Sequence, residues 1–151
     1  MLTPGQPAPA FTAESTQGTI KISEILGTRP IVLIFYPKDE TPVCTKQLCA
    51  VRDSAAQYAA HDALVIGVNP GSIEEHQQFA SKHQLDFPLI ADRDGTVRQL
   101  YDVGKIFGLF GQQRVVYVIG RDGRIAFAEK GNRPTAEIVA ALESGGASDA
   151  N

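Results

Sequence analysis

The sequence predicts an α/β fold in which helices flank a central mixed β-sheet. Ile31–Tyr36 and Leu64–Asn69 are continuous apolar, β-branched runs bounded by Pro or Gly, which is the pattern of buried central strands. Pro42–Ala60 lies between them and carries good helix formers with no internal Gly or Pro. A strand–turn–strand signal follows later, at residues 115–128. These three observations indicate parallel strands joined by helices, with a hairpin added to the sheet.

The remaining elements follow from the same kinds of signal. Ser72 with Glu75 three residues later marks a helix start, and Gly120–Gly123 between two apolar runs marks a tight turn. After the second strand we predict helices over Ser72–His83 and Thr96–Tyr101, strands over Val115–Ile119 and Ile125–Ala128, and a helix over Pro134–Leu142. The order β-α-β-α, then a hairpin, then a closing helix describes a thioredoxin-like α/β sandwich.

The length and composition are those of one domain. The chain has 151 residues, of which 43% are hydrophobic and 21% charged, so a sizeable core is expected and wholesale disorder is not. We expect a single domain over residues 1–143. The last eight residues, 144–151, read SGGASDAN and predict a flexible polar tail.

The charge balance and apolar patterning exclude several classes of protein. With 14 Lys and Arg against 17 Asp and Glu, the net charge of -3 argues against a dedicated nucleic-acid binder. The apolar runs are too short to span a membrane. The N-terminus lacks the basic flank and apolar stretch of a signal peptide. We therefore expect a cytoplasmic protein with neither nucleic-acid nor membrane partners.

The two cysteines, Cys44 and Cys49, are the most informative residues of the chain. In a reducing compartment, a pair so close in sequence favours redox or metal chemistry over a structural disulfide. Thr41 is a natural N-cap and Pro42 is favoured at the first helical position, so Cys44 falls in the first helical turn. A helix N-terminus favours the thiolate, which is the nucleophilic form of cysteine.

A helix terminus alone does not fully activate a thiol, because it supplies at most about 2 kcal/mol. A cation must contribute the rest. Lys38, Lys46 and Arg52 are near in sequence, and an arginine from a distant strand could also reach the site.

Other interpretations of the cysteines stay open at this point. Cys44 could be a small residue at a helix start with no chemistry. A zinc site would need further ligands, and His61, His76 and His83 do not cluster with the cysteines and are expected on helix surfaces. A dithiol–disulfide oxidoreductase usually has Cys-x-x-Cys, which this chain lacks. A redox sensor without enzymatic activity is a further possibility. We expect neither a metal nor a cofactor.

The block Phe35–Asp53, with Pro37, Thr41 and Cys44 in a Pro-x-x-x-Thr-x-x-Cys pattern, resembles the peroxidatic signature of peroxiredoxins. It is most similar to the bacterioferritin-comigratory (Q-type) subfamily, in which a resolving cysteine lies five residues after the peroxidatic one. The resemblance covers nearly the whole chain, since further segments match the family at Pro7–Phe11, Phe87–Asp92 and Arg114–Gly123.

The resemblance implies a thiol-dependent peroxidase that acts in antioxidant defence. Cys44 would reduce hydrogen peroxide and organic hydroperoxides and become a sulfenic acid. Cys49 would then condense with it to an intramolecular disulfide, which thioredoxin or a glutaredoxin-like reductant restores to thiols. The implied substrate-binding residues are Pro37, Thr41, Pro42, Val43 and Arg114, with Thr41 and Arg114 polarising the peroxide. We expect the protein to be a monomer.

Several positions depart from the usual family pattern, including Asn69–Gly71, which reads Asn-Pro-Gly where Ser-Pro-Asp is more usual. Val43 replaces a frequent Gly, Gln47 replaces a frequent Glu, and Gly120 stands where an Asp is common. None of these changes removes a catalytic group. They bear on rate and substrate preference more than on the type of reaction.

Overall fold

The fold is described from a computed structural model, which covers residues 1–106 and 112–149. The strands are β1 (Thr12–Ser15), β2 (Gly18–Lys21), β3 (Ile31–Phe35), β4 (Leu64–Asn69), β5 (Leu89–Ala91), β6 (Val115–Ile119) and β7 (Ile125–Lys130). The helices are α1 (Pro42–Asp53), α2 (Ala55–Ala60), α3 (Ile73–Lys82), α4 (Thr96–Leu100) and α5 (Thr135–Asp149), with a short 3-10 turn at Ile22–Glu24.

The strands form one mixed sheet in the order β2-β1-β5-β4-β3-β6-β7. β3 and β4 are parallel, as the two apolar runs predict, and β5 continues the parallel set. β6 joins the other side of β3 in antiparallel orientation and pairs with β7 as the expected hairpin. The predicted thioredoxin-like fold, a mixed sheet flanked by helices, is therefore confirmed.

Two apolar clusters cover the two faces of the sheet, because successive residues of a strand point to opposite sides. Every residue of β3 is buried, so this strand contributes to both clusters. The first cluster contains, among others, Val32, Ile34, Tyr36, Cys44, Leu48, Phe79 and Ile138. The second contains, among others, Ile31, Leu33, Phe35, Phe11, Val97 and Tyr101. Cys44 thus belongs to the core on the side where α1, α3 and α5 pack.

The helix predicted over Pro42–Ala60 is interrupted, which corrects the sequence-based expectation. Ser54 has φ -103° and ψ 15°, outside the helical region, and separates α1 from α2. Its hydroxyl lies 3.3 Å from the hydroxyl of Thr135 at the start of α5. Serine competes for local hydrogen bonds, so it readily ends a helix where a tertiary partner is present.

None of the described helices combines the length and apolar character that a membrane crossing needs.

The closing helix extends further than the predicted Pro134–Leu142. It begins at Thr135 and its backbone continues to Asp149, so most of the expected tail is helical. A Cβ placed on Gly145 would lie 3.6 Å from the Cβ of Ala126, so the helix still contacts β7 at this residue. Residues 150 and 151 lie outside the described part of the chain, and the flexibility of the tail stays a prediction.

The strands β1, β2 and β5 are not predicted from the sequence. β1 and β2 pair in antiparallel register from Thr12 with Lys21 to Ser15 with Gly18, and Gly18 has the positive φ of 97° that the tight connection requires. Seven of their eight residues are exposed or half-buried, so no apolar run marks them. β5 has three residues and is too short for a periodic signal.

Candidate active site

The segment Pro37–Thr41, called the site loop below, connects the end of β3 to α1. Thr41 is the N-cap of α1 with φ -84° and ψ 150°, and Pro42 is the first helical residue. Cys44 is therefore the third helical residue, in the predicted first turn. The Thr41 side chain does not cap the helix as expected, because its hydroxyl donates to the carbonyl oxygen of Lys38 at 2.8 Å. That bond closes the site loop on itself.

The two cysteines have different surroundings, although both are free thiols. Cys44 is fully buried and packs in the cluster that contains Tyr36 and Leu48. Cys49 is half-buried. On a regular helix, residues five apart differ by a rise of about 7.5 Å and a rotation of about 140°, which places their Cα atoms about 8.6 Å apart. A disulfide bridges at most about 7 Å, so the two thiols cannot join while α1 is intact.

Arg114 is the residue just before β6, and its side chain reaches α1. Its guanidinium Nη1 donates to Oε1 of Gln47 at 2.6 Å, and its carbonyl oxygen accepts the N–H of Gly131 at 2.8 Å. Gln47 is buried and lies three residues after Cys44, so it shares a helix face with that cysteine. The amide of Gln47 is neutral. It therefore orients the guanidinium and leaves its positive charge uncompensated. A glutamate, which is frequent at this position in the family that the sequence resembles, would compensate that charge.

Arg52, one of the cations considered from the sequence, is engaged elsewhere. Its Nε donates to Asp53 at 2.9 Å and its Nη1 donates to the carbonyl oxygen of His83 at 2.6 Å. The hydrogen bond to Asp53 raises the pKa of Arg52, and the nearby Cys49 adds to this effect. Arg52 therefore lies beside Cys49, whereas Arg114 is a cation held beside the helix face of Cys44.

The other predicted substrate-binding residues border the same corner of the fold. Pro37 and Thr41 are half-buried in the site loop, while Pro42 and Val43 are exposed in the first turn of α1. Val43 is 53% exposed, which is unusual for a large apolar side chain beside a fully buried thiol. Four of these residues are close to Cys44 because they directly precede it in the chain: Pro37, Thr41, Pro42 and Val43. Arg114 is distant in sequence and is held at α1 by its contact with Gln47.

A buried polar cluster next to the site loop was missed by the sequence-based reasoning. His76 is fully buried, so its expected position on a helix surface is wrong. Its Nδ1 lies 2.6 Å from Oδ2 of Asp39, and the hydroxyl of Tyr36 donates to Oδ1 of the same carboxylate at 2.6 Å. The signal was present, because His76 shares a predicted helix face with Ile73 and Ala80. The reason for its burial, a carboxylate from the site loop, is not visible in the sequence.

The cluster shifts the ionisation of its members. Burial disfavours the imidazolium of His76, but the hydrogen bond and charge of Asp39 outweigh this and raise the pKa of His76 above its ordinary value. Burial, followed by the charge of Asp39, raises the pKa of Tyr36 well above its usual range. Within residues 1–106 and 112–149, no three His, Cys, Asp or Glu side chains are grouped to hold a metal ion. The zinc alternative thus has no ligand set in the described part of the chain.

A thioredoxin-like sheet that places a buried cysteine in the first turn of the helix after β3, with an arginine beside that helix, defines a thiol-based oxidoreductase. Comparison with known proteins specifies the class further. The family model described as AhpC/TSA family matches residues 4–128. The peroxiredoxin Bcp of Bacillus subtilis is 40% identical over 127 residues, which cover 80% of this chain and 80% of the relative.

Two further comparisons agree. The chloroplastic peroxiredoxin Q of Sedum lineare is 39% identical over 124 residues, covering 81% of this chain and 66% of the relative. The crystal structure of peroxidoxin BcpB from Mycobacterium tuberculosis superposes with a TM-score of 0.86 at 26% identity, covering 95% of this chain and 98% of that one. The chain therefore belongs to the AhpC/TSA family, among the peroxiredoxins of the Bcp and Q type.

Proposed function

We propose that the protein is a thiol peroxidase in antioxidant defence, with Cys44 as the peroxidatic residue. The observation that carries this proposal is the position of Cys44, buried in the first turn of α1 on the helix face that Arg114 contacts through Gln47. The thiolate of Cys44 attacks one peroxide oxygen and the O–O bond breaks. The departing oxygen takes a proton and leaves as water or an alcohol, and Cys44 becomes a sulfenic acid.

Thr41 and Arg114 are the proposed peroxide-binding residues. A guanidinium carries five N–H donors in a planar fork, and the Gln47 contact occupies one of them, so others can donate to the thiolate and to a peroxide oxygen. The Thr41 hydroxyl donates its hydrogen bond to the carbonyl oxygen of Lys38. Its lone pairs can therefore accept a hydrogen bond from a peroxide O–H. Pro37, Pro42 and Val43 complete the site as its largely apolar border, which suits organic hydroperoxides as well as hydrogen peroxide.

Cys49 is the proposed resolving residue. Its thiolate attacks the sulfur of the Cys44 sulfenic acid, a disulfide forms, and the hydroxyl leaves as water after taking a proton. The distance between these residues on an intact helix requires the segment from Cys44 to Cys49 to unwind first. Thioredoxin or a glutaredoxin-like protein then supplies two electrons and restores both thiols. We further propose that the protein acts as a cytoplasmic monomer.

A coupled assay tests this function. The protein is mixed with thioredoxin, thioredoxin reductase and NADPH, and NADPH oxidation is followed with hydrogen peroxide or a bulky organic hydroperoxide as substrate. We expect turnover with both substrates and none above background for Cys44→Ser. Undiminished turnover of that variant contradicts the assignment of Cys44. Insulin reduction that is faster than peroxide reduction indicates a dithiol–disulfide oxidoreductase instead.

A further inference from the structure

Two contacts connect the site loop to α3, one buried and one exposed. Asp39 and His76 form the buried contact, which also includes the hydroxyl of Tyr36. Glu40, the next residue along the loop, forms the exposed contact with Lys82 and His83. We propose that Asp39, His76 and Tyr36 act as a positioning unit that holds the site loop and the first turn of α1 folded around Cys44. This inference rests on the proposed function for its effect on peroxide reduction.

The buried contact occupies the Asp39 carboxylate from two sides. Oδ1 accepts the Tyr36 hydroxyl and Oδ2 faces Nδ1 of His76, each at 2.6 Å. Asp39 is 9% exposed and His76 is fully buried, so water does not compete for these bonds. The carboxylate therefore fixes the middle of the site loop to the end of β3 and to α3 at the same time.

The partners of the imidazole determine its protonation. Nε2 of His76 lies 3.2 Å from the carbonyl oxygen of Asn69, which can only accept, so Nε2 carries a hydrogen. Nδ1 faces a carboxylate oxygen and donates to it when the ring is an imidazolium. The titratable groups that face this ring are Tyr36 from the end of β3, Asp39 from the site loop, and Glu75 from α3 itself. The two carboxylates favour the cation, in agreement with the raised pKa of His76.

Tyr36 links this unit to the peroxidatic thiol. Its ring is fully buried in the same cluster as Cys44, and its centroid lies 6.4 Å from that of Phe79. Its carbonyl oxygen accepts bonds from Asn69 at 2.8 Å and from Gln112 at 3.1 Å. The residue is thus held at its backbone and at its hydroxyl. Loss of the Asp39 contact would release the hydroxyl end of a ring that packs in the cluster of Cys44, and would release the loop that leads to Thr41.

The exposed contact provides an internal control. Nζ of Lys82 and Nε2 of His83 each lie 2.9 Å from a Glu40 carboxylate oxygen. The Glu40 side chain is 44% exposed and that of His83 is 22% exposed, whereas that of His76 is fully buried. Solvent screening makes such surface pairs weak. Removing one partner of a buried pair leaves an uncompensated charge, which is far more disruptive. Substitution of His76 should therefore loosen the site loop, whereas the same substitution of His83 should not.

The experiment compares His76→Asn, His76→Leu and Asp39→Asn with the control His83→Asn in the reduced protein. Amide protection is measured over residues 38–46, and the rate of Cys44 oxidation by hydrogen peroxide is measured by stopped flow. We expect His76→Leu to lose at least fivefold in both protection and oxidation rate, and Asp39→Asn to behave similarly. His76→Asn retains a neutral donor in place of Nδ1 and should recover part of the loss. His83→Asn should stay within twofold of the wild type.

The pH dependence of the wild type gives a measurement that needs no variant. Because the pKa of His76 is raised in the folded chain, the pair stabilises the loop fully below the ordinary value of 6.5 and loses this effect as pH rises through the raised value. Protection factors over residues 38–46, corrected for intrinsic exchange, should therefore fall in that range in the wild type and in His83→Asn. They should not fall in His76→Asn.

The outcomes separate this inference from the proposed function. If the wild type consumes peroxide and both His76 variants match His83→Asn in protection and oxidation, the positioning role is wrong and the peroxidase assignment stands. If the wild type does not consume peroxide, protection and its pH dependence still decide whether the unit holds the loop. If His76→Leu fails to fold, His76→Asn and the wild-type pH dependence give the answer.

Discussion

The positions of Cys44 and Cys49 differ in almost every respect, although both lie on α1. Cys44 is fully buried in the first turn, where backbone N–H groups have no acceptor within the helix. Arg114 is held nearby through its contact with Gln47. Cys49 is half-buried further along α1, beyond the first turn, to which the effect of the helix N-terminus is confined. The folded helix therefore gives the two thiols different neighbours, with Cys44 in the first turn and Cys49 beside Arg52.

If the proposed cycle operates, this difference means that its two halves need different conformations. The intact helix holds Cys44 in the core with Leu48 and Val51, and the rotation of about 140° over five residues directs Cys49 elsewhere. In that cycle, peroxide reduction would use the folded first turn, whereas disulfide formation would require its loss. Variants at Cys49 and Arg114, together with amide exchange along α1, test whether the two steps separate in this way.

Among the changes that leave Cys44 in place, replacing the second cysteine should have the largest effect on turnover. Cys49→Ser should still reduce one equivalent of peroxide, because the first step requires Cys44 alone. It should then accumulate sulfenic acid, or more oxidised species when peroxide is in excess, and recycling by thioredoxin should be slow. Mass spectrometry of Cys44 after one equivalent of peroxide, together with steady-state turnover, measures both effects. Full turnover in this variant would show that Cys49 is not the resolving residue.

Disulfide formation should be accompanied by local unfolding of α1. We expect the amides of Val43–Ala50 to exchange faster in the disulfide form than in the dithiol form, because the bond cannot close within a regular helix. The amides of Ile73–Lys82, in α3, serve as an internal reference that the disulfide does not span. Equal protection of Val43–Ala50 in both forms, with the disulfide verified by mass, would show that α1 need not unwind for the disulfide to form.

Substitution of Arg114 should slow the oxidation of Cys44 and leave the reactivity of Cys49 unchanged. Arg114→Lys keeps the charge but loses the planar fork of donors, so we expect at least a tenfold slower oxidation of Cys44, which corresponds to about 1.4 kcal/mol. Stopped-flow oxidation by hydrogen peroxide measures this rate. Arg124→Lys, at an exposed arginine of the β6–β7 turn, is the matched control and should retain the wild-type rate. A wild-type rate in Arg114→Lys would mean that another cation serves the site.

The parts of the fold that the sequence predicts well are those where local and tertiary preferences agree. β4 and β6 have the predicted bounds, and α1 begins at Pro42 because Thr41 and Pro42 favour a helix start. The capping interaction of α3 is also present, since the Ser72 hydroxyl accepts the N–H of Glu75 at 3.1 Å. The placement of Cys44 in a first helical turn follows from these local signals alone.

The features that were missed depend on distant partners. The burial of His76 requires Asp39 from the site loop, and the end of α1 at Ser54 involves Thr135 of α5. The short, mostly exposed strands β1 and β2 acquire their structure from pairing with each other and with β5. Arg114 can be singled out by its resemblance to the family, but its contact with Gln47 depends on how α1 and β6 pack.

The packing of the first two turns of α1 also has a thermodynamic consequence for the proposed disulfide. Removal of one buried Leu side chain costs about 2–5 kcal/mol, and unwinding α1 withdraws both Cys44 and Leu48 from the core. The oxidised protein should therefore be less stable than the reduced one. Refolding of the helix adds to the driving force for reduction, and each 1.4 kcal/mol raises the reduction potential of the pair by about 30 mV. In the proposed cycle, the core under α1 should therefore make the disulfide a better electron acceptor toward its reductant.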